Sequence, residues 1–236
     1  MCRRPKQAHR PFVNADEVLE ALRAEADPSR LPGMARVGIE TSRALGVSVP
    51  GIRRIAKRAG ADQELARELW GTEIHEARMV AALVADPTAL SFRAMSAWAQ
   101  DLDSWDLTDM LADTYARTAH VDRAITTWSH ARRGFTKRCA FAMLARLAVD
   151  RPGEPNQTYL GYLPLIRSAS TDDRNEVRKA VNWALRQIGK RNRSLQGAAI
   201  AEAVALLELH DRTATWIARD ALRELRSPAT VARIPR

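Results

Sequence analysis

Cysteine is nearly missing from this chain: Cys2 and Cys139 are the only two in 236 residues. That excludes a disulfide framework, and neither falls at a metal-ligand spacing. His75-Glu76 is followed by Ala77-Arg78-Met79. No second histidine arrives four positions on, so this is not a zinc-binding helix motif, and helix packing is the better reading. Long apolar runs are also lacking. Stretches such as Cys139 to Leu144 fall far short of the roughly 20 residues of a membrane span, and the polar N-terminus has no signal-peptide core. No segment alternates with period two well enough to be a strand, and no Gly-rich phosphate loop or Ser-His-Asp spacing stands out. The expectation is a protein of the reducing cytoplasm, off the membrane, with no metal or other cofactor.

What the C-terminal half lacks is acid. Residues 117–236 hold 22 Lys and Arg against 11 Asp and Glu, whereas residues 1–116 hold 15 against 17. The net charge of +9 therefore belongs to the second half. Such a field concentrates polyanions, and nucleic acid is the commonest cytoplasmic one; a well-solvated surface is the bland alternative.

The hydrophobic content of 46% is ample for a folded core, and its spacing is helical throughout. Asn14 with Glu17 has the form of an N-cap and its capping-box partner, opening a helix through Val18, Leu19 and Leu22. Pro28, Pro32 and Gly33 break the pattern. Ser48 with Pro50 starts a helix that Gly60 stops. Further helices run through Leu65, Leu69 and Trp70, and through Ile74 to Val84. From Ser91 the helices come in pairs: 91–101 with 104–117, 120–131 with 134–148, 157–170 with 174–190, and 194–208 with 212–225. Units of 30 to 40 residues are the length of a two-helix solenoid repeat. The fold expected is all-α, a curved solenoid of HEAT-like antiparallel helix pairs with a concave basic face. It forms one domain over residues 1–236, with 1–13 and 228–236 as frayed ends and 150–156 as a loop between repeats.

Second helices of successive pairs carry unusual residues on the face turned from the core. In the first, Trp105 and Asp109 lie within about 40° of each other at 100° per residue, while Leu107, Met110 and Leu111 project elsewhere. In the next, Arg138 points away from the stripe of Ala140, Met143, Leu144 and Leu147. In the third, Lys179, Trp183, Arg186 and Lys190 cluster within about 60°, opposite Val177, Ala180, Val181, Ala184, Leu185 and Ile188. Each has an ordinary reading as packing or solvated charge. Stacked repeats, however, bring equivalent faces together. Trp98 and Trp128 share stripes with core residues, and Trp216, beside Ile217 and near Leu222, is assigned to packing in the last repeat.

Tryptophan faces attract cations, so Trp105 and Trp183 would hold a positively charged alkylated purine in preference to a neutral base. That cation is a good leaving group. A carboxylate, Asp109, would stabilise the oxocarbenium-like transition state of N-glycosidic cleavage and position water. Arg138 suits a backbone phosphate.

At these residues the chain resembles the AlkD-like alkylpurine DNA glycosylases, the DNA alkylation repair proteins built of HEAT-like repeats. The resemblance runs through Met34-Ala35-Arg36, Leu45-Gly46-Val47-Ser48-Val49-Pro50, His75-Glu76-Ala77-Arg78, Ser104 to Asp109, Lys137-Arg138, and Lys179 to Arg186. It implies excision of cationic N3- and N7-alkylpurines from double-stranded DNA, without a metal and without flipping the base into a pocket; the expected state is a monomer. It further implies that the two tryptophans flank the lesion, Asp109 is the catalytic carboxylate and Arg138 contacts DNA, with Lys179, Arg186 and Lys190 nearby. Asn182 stands before Trp183 where glycosylases of the family have glycine. Two other classes remain open: a non-catalytic helical-repeat module binding structured DNA, and a protein-interaction scaffold.

Overall fold

The computed structural model describes residues 14–235, and the expected fraying of 1–13 lies outside them. The described residues are helical, with no strand among them. They form two compact units divided after Leu90.

The first unit contains α1 (Ala15–Ala24), α2 (Leu31–Arg36), α3 (Val49–Ala59), α4 (Gln63–Gly71) and α5 (His75–Val84). Asn14 Oδ1 accepts the Glu17 N–H at 3.0 Å and Ser48 Oγ accepts that of Gly51 at 3.2 Å, so both predicted caps form. The segment expected to be broken is instead a 3-10 turn, Pro28–Arg30, running into α2. Its prolines sit in first turns, where the missing N–H costs no helical bond. Helix α5 is buried along nearly its whole length, packed by α3 and α4. Its buried Glu76 carboxylate accepts the backbone N–H groups of Leu45, Gly46 and Val47 at 2.8, 2.7 and 3.2 Å. Gly46 itself has φ 79°, and a Cβ there would lie 2.1 Å from the Asp27 carbonyl oxygen, so only glycine fits. The His75-Glu76 pair is thus built into packing and a turn, as its spacing predicts.

The second unit contains α6 (Phe92–Gln100), α7 (Trp105–Tyr115), α8 (Val121–Trp128), α9 (Gly134–Asp150), α10 (Asn156–Ala169), α11 (Asn175–Gly189), α12 (Arg193–Leu207), α13 (Arg212–Leu225) and α14 (Pro228–Arg233). The first eight are the four predicted pairs, and residues 151–155 join two of them. The second helices lie side by side: α7 packs on α9, α9 on α11, and α11 on α13. Trp98 and Trp128 are buried, Trp128 stacked on Phe92 at 5.9 Å between centroids. Helix α14 occupies part of the stretch expected to fray, capped by Ser227 Oγ on the Thr230 N–H at 3.2 Å. Among the described residues no helix is long and apolar enough to cross a membrane.

Candidate nucleic-acid interface

The layer of second helices carries every residue the sequence singles out. Helix α7 opens at Trp105, with Ser104 as a buried N-cap residue whose carbonyl accepts the Thr108 hydroxyl at 2.6 Å. Trp105 is 39% exposed. One turn later Asp109 leans toward α9, its side chain 25% exposed.

Arg138 is not a surface cation. Helix α9 is flanked by α7, α8 and α11, and from Cys139 to Ala145 every residue is buried. The expectation that Arg138 points away from the core into solvent is corrected by this sandwiching, which leaves the residue only 6% exposed. Its guanidinium forks onto Asp109, Nε donating to Oδ1 at 2.8 Å and Nη2 to Oδ2 at 2.7 Å. Nη1 donates to the Glu176 carbonyl in the first turn of α11 at 2.9 Å. One side chain therefore ties three successive second helices together, using three of its five N–H groups. Close approach of α9 and α11 at this level is also visible at Gly134, where a Cβ would meet Glu176 Oε1 at 2.2 Å.

Burial raises the Asp109 pKa and outweighs the hydrogen bonds and charge of Arg138, which lower it. Both carboxylate oxygens accept Arg138 protons, so the ionised form is the one this geometry holds. Each oxygen keeps a further lone pair for water or a ligand. The neighbouring Cys139 thiol is pushed far up by complete burial and is chemically quiet.

Trp183 is half-buried on α11. With its amide oxygen turned toward them, Gln187 accepts Trp183 Nε1 at 3.0 Å and Lys190 Nζ at 3.3 Å. The two candidate tryptophans stand on α7 and α11, with α9 packed between those helices. Lys179 is exposed and makes no hydrogen bond or ion pair among the described residues.

Arg186 and Lys190 are differently placed from expectation. Lys190 Nζ lies 2.7 Å from Glu224 Oε1, and Arg186 bonds the other oxygen of the same carboxylate. Burial pushes the Glu224 pKa up, but the two cations outweigh it and hold the carboxyl below the usual range. Alongside, buried Asn182 donates Nδ2 to Asp220 Oδ2 at 2.7 Å. Helix α13 thus supplies counter-charges that are remote in sequence and invisible to a reading of α11 alone.

Trp216 corrects another expectation. Its place beside Ile217 predicts packing in the last repeat, but it is 38% exposed on α13, with the Arg178 guanidinium 4.9 Å from its ring centroid. Its packing role falls to the neighbours Ala214, Ile217 and Ala218, all buried. Among the described residues no group of three or more His, Cys, Asp or Glu is placed to hold a metal ion.

Comparison with known proteins agrees with this architecture. A family model described as DNA alkylation repair enzyme matches residues 18–225. No curated protein matches the chain. Among solved structures, one described as a new family of proteins related to the HEAT-like repeat DNA glycosylases, with affinity for branched DNA structures, superposes with a TM-score of 0.72. It is 19% identical, over 81% of this chain and 82% of the other.

Proposed function

The chain belongs to the DNA alkylation repair enzyme family, and from that premise we propose that it excises cationic N3- or N7-alkylated purines from duplex DNA by hydrolysing the N-glycosidic bond. The observation that carries this reading is the Asp109–Arg138 pair, one helical turn from exposed Trp105. An alkylated purine already bears positive charge, so departure needs no proton donor. What the reaction needs is stabilisation of the oxocarbenium-like sugar and a positioned water. Asp109 supplies both through its free lone pairs, while Arg138 fixes its orientation and keeps it charged. Arg138 in this reading is a positioning residue rather than a direct phosphate contact. Trp105 and Trp183 hold the cationic base by their π faces, and exposed Lys179 adds to the field that draws in the DNA backbone.

The test is release of 3-methyl- and 7-methylpurines from methylated duplex DNA. Release above the spontaneous rate, lost in Asp109→Asn while DNA binding persists, supports the assignment. No release from well-folded protein refutes it.

A second reading has its own support. Arg186 and Lys190 are both ion-paired with Glu224, and Asn182 stands where the glycosylases that the chain resembles have glycine. A non-catalytic module for structured DNA would show salt-sensitive binding to branched or bulged DNA with no base release. Failure to bind DNA at low salt would point instead to a protein-interaction scaffold.

A further inference from the structure

We infer that the outer face of α13 is a docking site for an unpaired nucleotide, with Trp216 as its stacking platform and the flanking arginines as its phosphate contacts. Arg212, Trp216, Arg219 and Arg223 follow one another at i, i+4, i+7 and i+11. At 100° per residue this puts all four within roughly 60° of one another, along about 16 Å of helix. All four are exposed, and they line one open cleft of about 910 Å³ together with His210.

The charge balance of this cleft favours an anion. Among the described residues Arg212 and Arg219 make no hydrogen bond or ion pair. Three arginines face two carboxylates in this cleft, which leaves it net positive: Asp211 caps α13, accepting the Thr213 and Ala214 N–H groups at 2.8 Å, and Asp220 pairs with Arg223, accepts from Asn182 and lies 3.8 Å from Arg186. On α11, Arg186 and Lys190 share the Glu224 carboxylate, and Lys179 has no partner among the described residues. Two cations without a partner among the described residues, Arg212 and Arg219, therefore stand on either side of Trp216 along its own helix.

Trp216 is prepared for stacking. Arg178 lies over the ring at 4.9 Å, steadied by Nη2 donating to Asn175 Oδ1 at 3.2 Å. Trp216 also lines the open cleft. A base laid on it completes an arginine–indole–base stack between cations spaced to take its flanking phosphates. A paired base within a duplex cannot offer its face in this way, whereas an extrahelical or single-stranded one can.

This inference rests on the DNA-binding part of the proposed function and is independent of excision. The test is fluorescence anisotropy of the full chain with two labelled duplexes of equal length, one fully paired and one carrying a single unpaired adenine. The wild type should bind the bulged duplex more tightly. Trp216→Ala should weaken binding to the bulged duplex about tenfold, the scale of one base–aromatic stack, and leave the paired duplex within about twofold. Trp216→Tyr should keep most of the preference, and Arg178→Gln, which leaves Trp216 in place, should reduce it. Arg212→Gln and Arg219→Gln should each lower both affinities and flatten the salt dependence by about 0.9 in slope. Equal affinity of Trp216→Ala and wild type for both DNAs, or equal loss on both, overturns the inference. Absence of binding to either DNA overturns it together with the DNA reading. Base release, measured separately, bears on the glycosylase assignment alone.

Discussion

Removing the charge of Asp109 has two separable consequences, one for the fold and one for chemistry. In Asp109→Asn the Arg138 guanidinium, 6% exposed, keeps one acceptor but meets an amide NH₂ where it now meets an oxygen. Breaking one side of a fully buried ion pair costs about 3–5 kcal/mol. Asp109 retains 25% side-chain exposure, and water reaching it softens the loss, so about 2–3 kcal/mol is expected. For a unit of this size that is a fall in Tm of roughly 5–10 °C. Replacing both partners with apolar residues, Asp109→Leu with Arg138→Met, should recover most of the stability. The shortfall should be about 1 kcal/mol, because the Glu176 carbonyl loses its Nη1 donor. Excision should not recover. Thermal and urea unfolding followed by far-UV circular dichroism, beside base release at a temperature where all variants are folded, separates the two effects. An Asp109→Asn variant that melts within about 1 °C of wild type would refute the account of a shared, desolvated pair. A double variant that regains excision would remove Asp109 from the chemistry. The same carboxyl titrates above its ordinary value because burial outweighs Arg138. Acidification should therefore silence excision at a pH above that of an ordinary carboxylate, a limb visible in single-turnover pH–rate profiles.

Two further outcomes follow from charges outside the site. Asp172 is held down to about 2, first by its hydrogen bond to Arg174 and then, against an opposing desolvation, by Lys137. A depressed carboxyl stabilises above its unfolded pKa and loses that contribution as pH falls toward its folded one. Acid unfolding between about pH 4 and 2 should thus begin at higher pH in Arg174→Gln, as read by circular dichroism. In the first unit, Glu76→Ala would strand three backbone donors, those of Leu45, Gly46 and Val47. A loss of about 3 kcal/mol or more is expected in denaturant unfolding, whereas a loss below about 1 kcal/mol would mean that solvent substitutes for the carboxylate.

Local chemistry made much of this molecule legible. Asn14 and Ser48 read as caps because a side-chain oxygen serves a backbone N–H three residues on, an interaction contained in the sequence itself. The four helix pairs followed from period and breakers. The short α2 is hidden in the sequence because Pro28, Pro32 and Gly33 have the composition of a breaker, although proline in a first turn is a starter. Helix α14 was missed for a similar reason: six residues carry too little periodicity to register.

The site is a harder case, because a helical wheel describes one helix and a stacked layer has several. Arg138 lies off the apolar stripe of α9, yet α9 is enclosed by neighbours, and the side that looked wet holds Asp109 and the Glu176 carbonyl. The wheel identified Arg138 as polar and unusual, correctly, but could not supply its partners, which lie 29 and 38 positions away. Arg186 and Lys190 follow the same logic, since Glu224 comes from the next repeat. Trp216 inverts it. Beside Ile217 it looked like packing, while the spacing of Arg212, Arg219 and Arg223 around it was the usable signal. Those three arginines place Trp216 on the polar stripe of α13, and its core is supplied by Ala214, Ile217, Ala218, Ala221 and Leu225. In a helical-repeat layer, then, a cation's availability depends on the acids of the adjacent repeat. On α13 the two arginines without a hydrogen-bond or ion-pair partner among the described residues, Arg212 and Arg219, flank Trp216, whereas Arg186 and Lys190 of α11 share the Glu224 carboxylate.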